Sequence, residues 1–140
     1  MKPELVPGTE AGFAFIVTDD MLAGFDGEVV HPVLSTVSMI YHMEKAGRHI
    51  ILPYLEPDEE GAGYEICVKH VGPAVRGQTV RVKAVCTEVT PKRVVCEVRA
   101  ETDQNLVGTG HFTQAIFRKS QMADRIAALE RQVSPAERRI

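Results

Sequence analysis

Several features that would place this chain in a familiar class are missing from it. No run of about 18 apolar residues, the length that spans a bilayer, occurs in its 140 residues, so no membrane contact is expected. Residues 1–8 contain no apolar segment, which predicts that there is no signal peptide. The glycine-rich dinucleotide and phosphate-loop motifs and the Gly-x-Ser-x-Gly nucleophile motif are also absent.

A net positive charge is also missing, and cysteines are few. The net charge of −3 and the pI of about 5.9 give no broad basic field, so nucleic acid is not an expected partner. Cys67, Cys86 and Cys96 are odd in number and lack metal-type spacing, which predicts free thiols in a reducing cytoplasm. Cys67 and Cys96 lie in predicted strands and are expected to be buried. No pair of histidines has zinc spacing with further ligands, so no metal is expected.

What is present is a pattern of strands around one long apolar helix. The length fits a single domain over residues 1–140. Strands are predicted over 12–18, 64–71, 78–89, 93–102 and 106–118; helices over 34–51, capped by Ser35 or Thr36, and over about 120–132, capped by Ser120; a connection over 19–32; a polar turn over 56–61; and a mobile tail over 133–140. The first helix is apolar over much of its girth, so it should be buried on most sides. Short connections favour antiparallel neighbours, which makes the predicted fold an α+β fold.

Two residues of the long helix could carry chemistry. Glu44 stands in an apolar stripe, so its carboxylate must be paired, reach a cavity or have a raised pKa. A salt bridge to Arg48, one turn on, is the plainer explanation. Thr36 lies eight residues earlier, on roughly the same side of the helix, but it could simply be the helix cap.

His70 and a glycine-rich segment add to these candidates. In an alternating strand His70 faces with Ile66 and Val68, which puts an imidazole on the side that is expected to face the helix. A hydroxyl, a carboxylate and an imidazole within reach of one another are the parts of acyl-transfer chemistry. Gly63, in Gly61-Ala62-Gly63, would allow a ligand to approach the backbone closely, although it is also consistent with an ordinary turn.

The sequence resembles the fluoroacetyl-CoA thioesterase family of hot-dog acyl-CoA thioesterases, over roughly residues 33–118. The resemblance is carried by Ala62-Gly63-Tyr64-Glu65-Ile66-Cys67-Val68-Lys69-His70, by Pro53-Tyr54-Leu55-Glu56-Pro57 and by Gly108-Thr109-Gly110. It implies a hot-dog fold, an antiparallel sheet wrapped around a long central helix. It also implies Thr36, Glu44 and His70 as catalytic residues and Gly63 as the residue whose backbone binds the acyl group. A homodimer with its active site at the subunit interface, an acyl-CoA substrate and no bound cofactor follow from the same resemblance.

The sequence departs from the family at two places. Many relatives have an arginine in the last strand, where this chain has Gln114, a second candidate for substrate binding. The aromatic segment that precedes the threonine in the fluoroacetyl-specific member is not evident in residues 27–32, which argues against fluoroacetyl-CoA. The hypothesis is therefore a thioesterase that hydrolyses a short-chain acyl-CoA. A non-catalytic acyl-CoA-binding module and a hot-dog dehydratase or hydratase are the alternatives, and whether dimers pair into tetramers is left open.

Overall fold

The segments with alternating hydrophobicity form strands, and the two segments with helical periodicity form helices. The structure is a computed structural model that describes residues 1–139, so Ile140, the end of the predicted tail, lies outside the described residues. The elements are β1 (Glu10–Ile16), β2 (Leu22–Phe25), β3 (Glu28–Leu34), α1 (Thr36–Ile51), β4 (Glu59–His70), β5 (Thr79–Val89), β6 (Arg93–Glu101), β7 (Leu106–Arg118) and α2 (Lys119–Gln132). The three strands predicted after residue 78 are confirmed to within one residue at each end.

One antiparallel sheet organises the chain. Its strand order is β1-β5-β6-β7-β4, and β2 and β3 form a separate hairpin. In β5 and β6 every second residue is buried, and that face packs against α1 (Val80, Val82, Ala84, Cys86, Val94, Cys96, Val98 and Ala100). The α+β prediction, a sheet packed on one long helix, is confirmed. Because β4 pairs only with β7, its other edge has no strand partner among residues 1–139.

The structure corrects the expected burial of α1. The helix was expected to be covered on most sides, but Val37 is 78% exposed and Tyr41 is 62% exposed. The opposite face is buried and carries Met39, Met43, Ala46 and Ile50. The prediction was wrong because one sheet can cover only one side of a helix, and the apolar composition of the second side does not bring it a partner within the chain.

The segments before and after α1 also differ from the prediction. Residues 19–32 are not a plain connection, since β2 and β3 pair across a turn in which Asp26 and Gly27 have φ of 53° and 82°. Positive φ at both central residues is the geometry of the tight hairpin turn that matches strand twist. The polar turn predicted over 56–61 is wrong in its second half, because β4 already begins at Glu59, where it pairs with Arg118 at the end of β7.

Smaller corrections concern side chains. Cys67 is exposed, since it points to the face of β4 opposite Ile66 and Val68, whereas Cys96 is buried as predicted and burial raises its pKa to about 12. Ser120 does not cap α2: the cap position is Arg118, and the Ser120 hydroxyl donates to Asp58 Oδ2 at 2.9 Å. Within residues 1–139 no helix is both long and apolar enough to cross a membrane.

Candidate active site

The first candidate pair joins the start of α1 to the end of β4. Thr36 is the first residue of α1, and the Thr36 Oγ1 and His70 Nδ1 atoms lie 2.8 Å apart in a hydrogen bond. Thr36 is not the cap, because the Ser35 side chain accepts a hydrogen bond from the Ser38 N–H at 3.0 Å. The neighbouring serine therefore leaves the threonine hydroxyl available to contact the histidine.

The second pair lies two turns further along the same helix. Glu44 is exposed, and its carboxylate sits directly over Gly63 of β4. A Cβ atom added to Gly63 would lie 2.7 Å from Glu44 Oε1, so only glycine leaves this space open. The plainer explanation for Glu44, an ion pair with Arg48, does not hold, since Arg48 Nη1 instead contacts Glu60 Oε1 at 2.7 Å.

A β-bulge places Gly63 and His70 on one face of β4. Seven residues separate them, and an odd separation in a regular strand puts two side chains on opposite faces. The register shifts between Gly63 and Glu65, so Tyr64 is an extra residue without a partner on β7. Ile66, Val68 and His70 consequently face the helix together with Gly63. Bulges recur next to active sites because they redirect side chains in this way.

The two pairs are separated within a single chain. Thr36 and Glu44 are eight residues apart on α1, or about 12 Å along the helix axis. Gly63 and His70 are separated by seven residues of strand, or roughly 20 Å. Thr36 thus meets His70, and Glu44 meets Gly63, but the chain alone does not bring all three predicted catalytic side chains around one reacting carbon.

A cavity opens between α1 and β4 at the Glu44 end. Its volume is about 270 Å³, and its walls come from α1, β4 and β7 (Tyr41, Glu44, Lys45, Arg48, Gly61, Ala62, Gly63, Phe112 and Gln114). Gln114 and Phe112 are its most deeply buried lining residues, each 2% exposed. The Gln114 amide nitrogen donates to the carbonyl oxygen of Gly47 at 2.9 Å.

An ion pair holds the helix to β4 beside this cavity. Glu60 Oε1 accepts from Arg48 Nη1 at 2.7 Å and from the Gly61 N–H at 2.9 Å. The hydrogen bond from Arg48 lowers the pKa of Glu60, and the same bond raises the pKa of Arg48. Both groups are therefore charged near neutral pH, which fixes the α1 turn that carries Glu44 and Arg48 against the glycine segment.

A larger groove lies on the opposite face of the sheet. It has a volume of about 620 Å³ and contains none of the five predicted site residues. Its charges are mixed, because Lys83 pairs with Glu10 and Arg99 with Glu101. We therefore place the site in the smaller cavity. Among residues 1–139, no three His, Cys, Asp or Glu side chains are grouped as metal ligands.

Sequence reasoning missed Phe112 and Gly47. A Cβ atom on Gly47 would lie 2.4 Å from the Phe112 ring, so the ring packs directly on the helix backbone. The same ring comes within 3.5 Å of the Cβ position of Gly63. Gly47 was visible as the only glycine in the predicted helix, but nothing in the sequence pairs it with Phe112.

Comparisons with known proteins agree with this fold. The family model described as fluoroacetyl-CoA-specific thioesterase matches residues 17–120. The fluoroacetyl-CoA thioesterase of Streptantibioticus cattleyicolor is 33% identical over 104 residues, which cover 74% of this chain and 72% of that protein.

The solved structures that are similar to this chain include thioesterases of the same kind. A Thermus thermophilus hypothetical protein, a thioesterase superfamily member, is 36% identical with a TM-score of 0.89, covering 93% of this chain and 96% of that one. A fluoroacetyl-CoA thioesterase structure is 26% identical with a TM-score of 0.81, covering 93% and 98%. A hot-dog-like protein from Thermanaerovibrio acidaminovorans, 21% identical with a TM-score of 0.83 and coverage of 94% and 96%, has the same fold. The hot-dog prediction is confirmed.

Proposed function

Because this chain belongs to the fluoroacetyl-CoA-specific thioesterase family and is an acyl-CoA thioesterase, we propose that it hydrolyses a short-chain acyl-CoA to the carboxylate and free CoA without a bound cofactor. The observation that carries this proposal is the small cavity in which the Glu44 carboxylate lies over Gly63. A cytoplasmic location is part of the proposal and is supported by three cysteines that are all free thiols.

The proposed reaction uses the two pairs as complementary halves. The thioester carbonyl lies over Gly63, and Glu44 removes a proton from the water that attacks the carbonyl carbon. A backbone N–H at Gly63 stabilises the negative oxygen of the tetrahedral intermediate. That intermediate expels the CoA thiolate, which takes a proton from His70, while Thr36 holds the imidazole in place. The proton that Glu44 took from water then replaces the one that His70 gave up, and the carboxylic acid product loses its own proton to solvent. Direct attack by Glu44 to form a mixed anhydride is the variant of this scheme.

We propose a homodimer because it completes the site. Antiparallel pairing of the free β4 edge with its copy, centred midway between Gly63 and His70, sets Gly63 opposite the partner subunit's His70. On α1 the corresponding midpoint is Ile40, so the same twofold axis brings Glu44 towards the partner subunit's Thr36. The exposed apolar side chains of Val37 and Tyr41 lie between the two pairs and would be covered.

Free CoA release from a panel of acyl-CoAs tests the activity. Acetyl-, propionyl- and butyryl-CoA are expected to be hydrolysed by the wild type, and Glu44→Gln, His70→Ala and Thr36→Ala should each lower kcat/KM. Unchanged rates in Glu44→Gln would contradict the assigned role of that carboxylate. Glu65→Gln is the matched control, because Glu65 is an exposed carboxylate of β4 on the opposite face.

Mixing two inactive variants tests the shared site. If each site takes Glu44 from one chain and His70 from the other, a dimer of Glu44→Gln with His70→Ala has one intact site and one doubly damaged site. Random mixing makes half of the dimers mixed, so about a quarter of the wild-type activity should return. No recovery after verified exchange of subunits would show that the site lies within one chain. Two copies of the same variant are the control and should stay inactive.

A further inference from the structure

Gln114 is the most deeply buried polar side chain that lines the cavity between α1 and β4. This residue is 2% exposed, and it sits directly across from Gly63 in the register of β7 and β4. The side chains nearest to the Cβ position of Gly63 are Glu44 and Phe112, which line the same cavity as Gln114.

The orientation of that amide is fixed by chemistry. Its neighbour at 2.9 Å is the carbonyl oxygen of Gly47, which can only accept a hydrogen bond. The nitrogen of the amide must therefore face Gly47, and Oε1 must face away from it. Oε1 lies 3.6 Å from the Cβ position of Gly61, on the side of the glycine segment that lines the cavity.

Within residues 1–139, Gln114 Oε1 receives no hydrogen bond from a protein donor. No side-chain nitrogen or oxygen among residues 1–139 is both fully buried and without a partner, so Oε1 reaches the open space of the cavity, where a water or a ligand can donate a hydrogen bond to it. A ligand with a donor at this point gains over one that has only a methyl group there.

Apolar side chains close the cavity just beyond the amide. The Phe112 ring lies against Gly47 on one side and near Gly63 on the other. Over Gly61, the terminal methyl groups of Ile51 and Ile116 come within 2.3 and 3.5 Å of the Cβ position. A chain that enters over Gly63 therefore meets side chains after a few carbon atoms.

We propose that this cavity selects a short acyl group that carries a hydroxyl, with Phe112 limiting the length of the chain and Gln114 Oε1 accepting a hydrogen bond from the hydroxyl. The proposal rests on the proposed function, because it identifies the acyl group of the same thioesterase reaction. Hydroxyacetyl and terminally hydroxylated propionyl groups are the smallest members of this substrate class.

The first test compares matched thioesters on the wild-type protein. The kcat/KM for hydroxyacetyl-CoA should exceed that for acetyl-CoA by about tenfold, a modest ratio because water can satisfy the amide oxygen when the substrate does not. The values should fall steeply from butyryl- to hexanoyl-CoA. Equal or reversed values for the hydroxylated and plain substrates would overturn the role of Gln114, and a flat profile up to hexanoyl-CoA would overturn the role of Phe112.

Two variants separate the two roles. Gln114→Met keeps the length of the side chain and removes the acceptor, so the hydroxyacetyl preference should disappear while the length limit remains. Phe112→Leu keeps an apolar side chain and removes the ring, so hexanoyl-CoA should become a substrate while the hydroxyl preference remains. Both readouts are ratios within one protein, so a partly unfolded fraction cancels. If both variants change both ratios alike, the assignment is wrong.

The outcomes also distinguish failure of the proposed substrate selectivity from failure of the proposed thioesterase function. Hydrolysis of acetyl-CoA with no preference for the hydroxylated analogue would leave the thioesterase proposal standing and overturn the selectivity. Failure of the wild type to release CoA from any short acyl-CoA would overturn both.

Discussion

Both faces of α1 carry large apolar side chains, but the surroundings of the two faces are very different. The inner face has Met39, Met43 and Ile50, each at most 1% exposed against the sheet. The outer face has Val37 and Tyr41, which are as apolar in kind but 78% and 62% exposed. Hydrophobicity alone therefore does not distinguish the face that folds the chain from the face beside the candidate catalytic residues.

The difference in exposure indicates that the inner face of α1 stabilises the fold and that the outer face carries the candidate catalytic residues. The inner face excludes water and packs against β5, β1, β6 and β7, so its side chains contribute to the free energy of unfolding. The outer face presents Thr36 and Glu44 together with apolar side chains that the single chain leaves uncovered. Exposed apolar area of this kind marks a surface for a ligand or a second chain.

The largest expected effect is on the outer face. Glu44→Gln should lower kcat for acetyl-CoA by about a thousandfold, because it removes the proposed base. The melting temperature should stay within about 1 °C, since Glu44 is exposed and makes no ion pair within residues 1–139. Steady-state kinetics and thermal unfolding measure the two effects. A large change in melting temperature with normal kcat would place Glu44 among the structural residues.

The inner face should respond in the opposite way. Met43 is fully buried, and Met43→Ala should lower the free energy of unfolding by about 3 kcal/mol, the sum of lost burial and the cavity left behind. The kcat/KM per folded molecule should not change. Denaturant titration and active-site-normalised kinetics are the measurements.

Val37→Ala is the matched control, because it removes methyl groups from the other face of the same helix. In dilute protein its effect on unfolding should be below about 0.5 kcal/mol. At high protein concentration, where the proposed dimer forms, the loss should grow. If Val37→Ala lowered the free energy of unfolding as much as Met43→Ala does, at every protein concentration, the two faces would not differ in their contribution to stability.

Helical periodicity predicts both stripes of α1, but it does not say which stripe is covered. Covering depends on elements far away in sequence, and for the outer face on the proposed second chain, so the expectation of burial on most sides was wrong. Alternation placed His70 on the helix side of β4 correctly, because residues 66, 68 and 70 follow the bulge in a regular strand.

The same alternation does not place Gly63 on the face of β4 that carries His70. The extra residue Tyr64 reverses the facing of everything before it, and a single inserted residue has no periodic signal. The hairpin of β2 and β3, by contrast, was detectable, since Asp26-Gly27 is a favoured two-residue hairpin turn. The contact of Phe112 with Gly47 depends on the three-dimensional approach of β7 to α1 and has no counterpart in either local sequence.

Two glycines of β4 allow the same comparison within the sheet, since Gly63 lies beside Glu44 and Gly61 lies beside the buried Ile51. Gly63→Ala would place a methyl group 2.7 Å from the Glu44 carboxylate, which is the movable end of an exposed side chain. It should lower kcat/KM by about a hundredfold through displacement of that carboxylate and change the melting temperature little. Kinetics with acetyl-CoA and thermal unfolding test this.

Gly61→Ala is the control two residues away on the same face. Its methyl group would lie 2.3 Å from the Cδ1 of Ile51, a fully buried side chain. Overpacking of that kind should lower the melting temperature more than Gly63→Ala does. If Gly63→Ala instead destabilises the protein and leaves kcat/KM unchanged, the glycine is needed for packing rather than for the site.

The smallest effect is expected at the boundary between the two faces, where His42 is 6% exposed and its ring stacks on Phe15 at 3.6 Å. Burial lowers the pKa of His42 below its ordinary value of 6.5, and the nearby Lys45 adds to this, while a hydrogen bond to the Ser38 carbonyl opposes it. The unfolded chain then binds a proton more readily than the folded chain, so stability is complete above pH 6.5 and falls as the pH drops below it. The slope cannot exceed about 1.4 kcal/mol per pH unit for one group.

Melting temperatures between about pH 7.5 and about pH 5 should therefore fall in the wild type and fall less in His42→Gln. Glu59 and Glu60 have lowered pKa values and affect stability only near and below 4.5, so an equal slope in both proteins over the higher range would show that His42 is not its source.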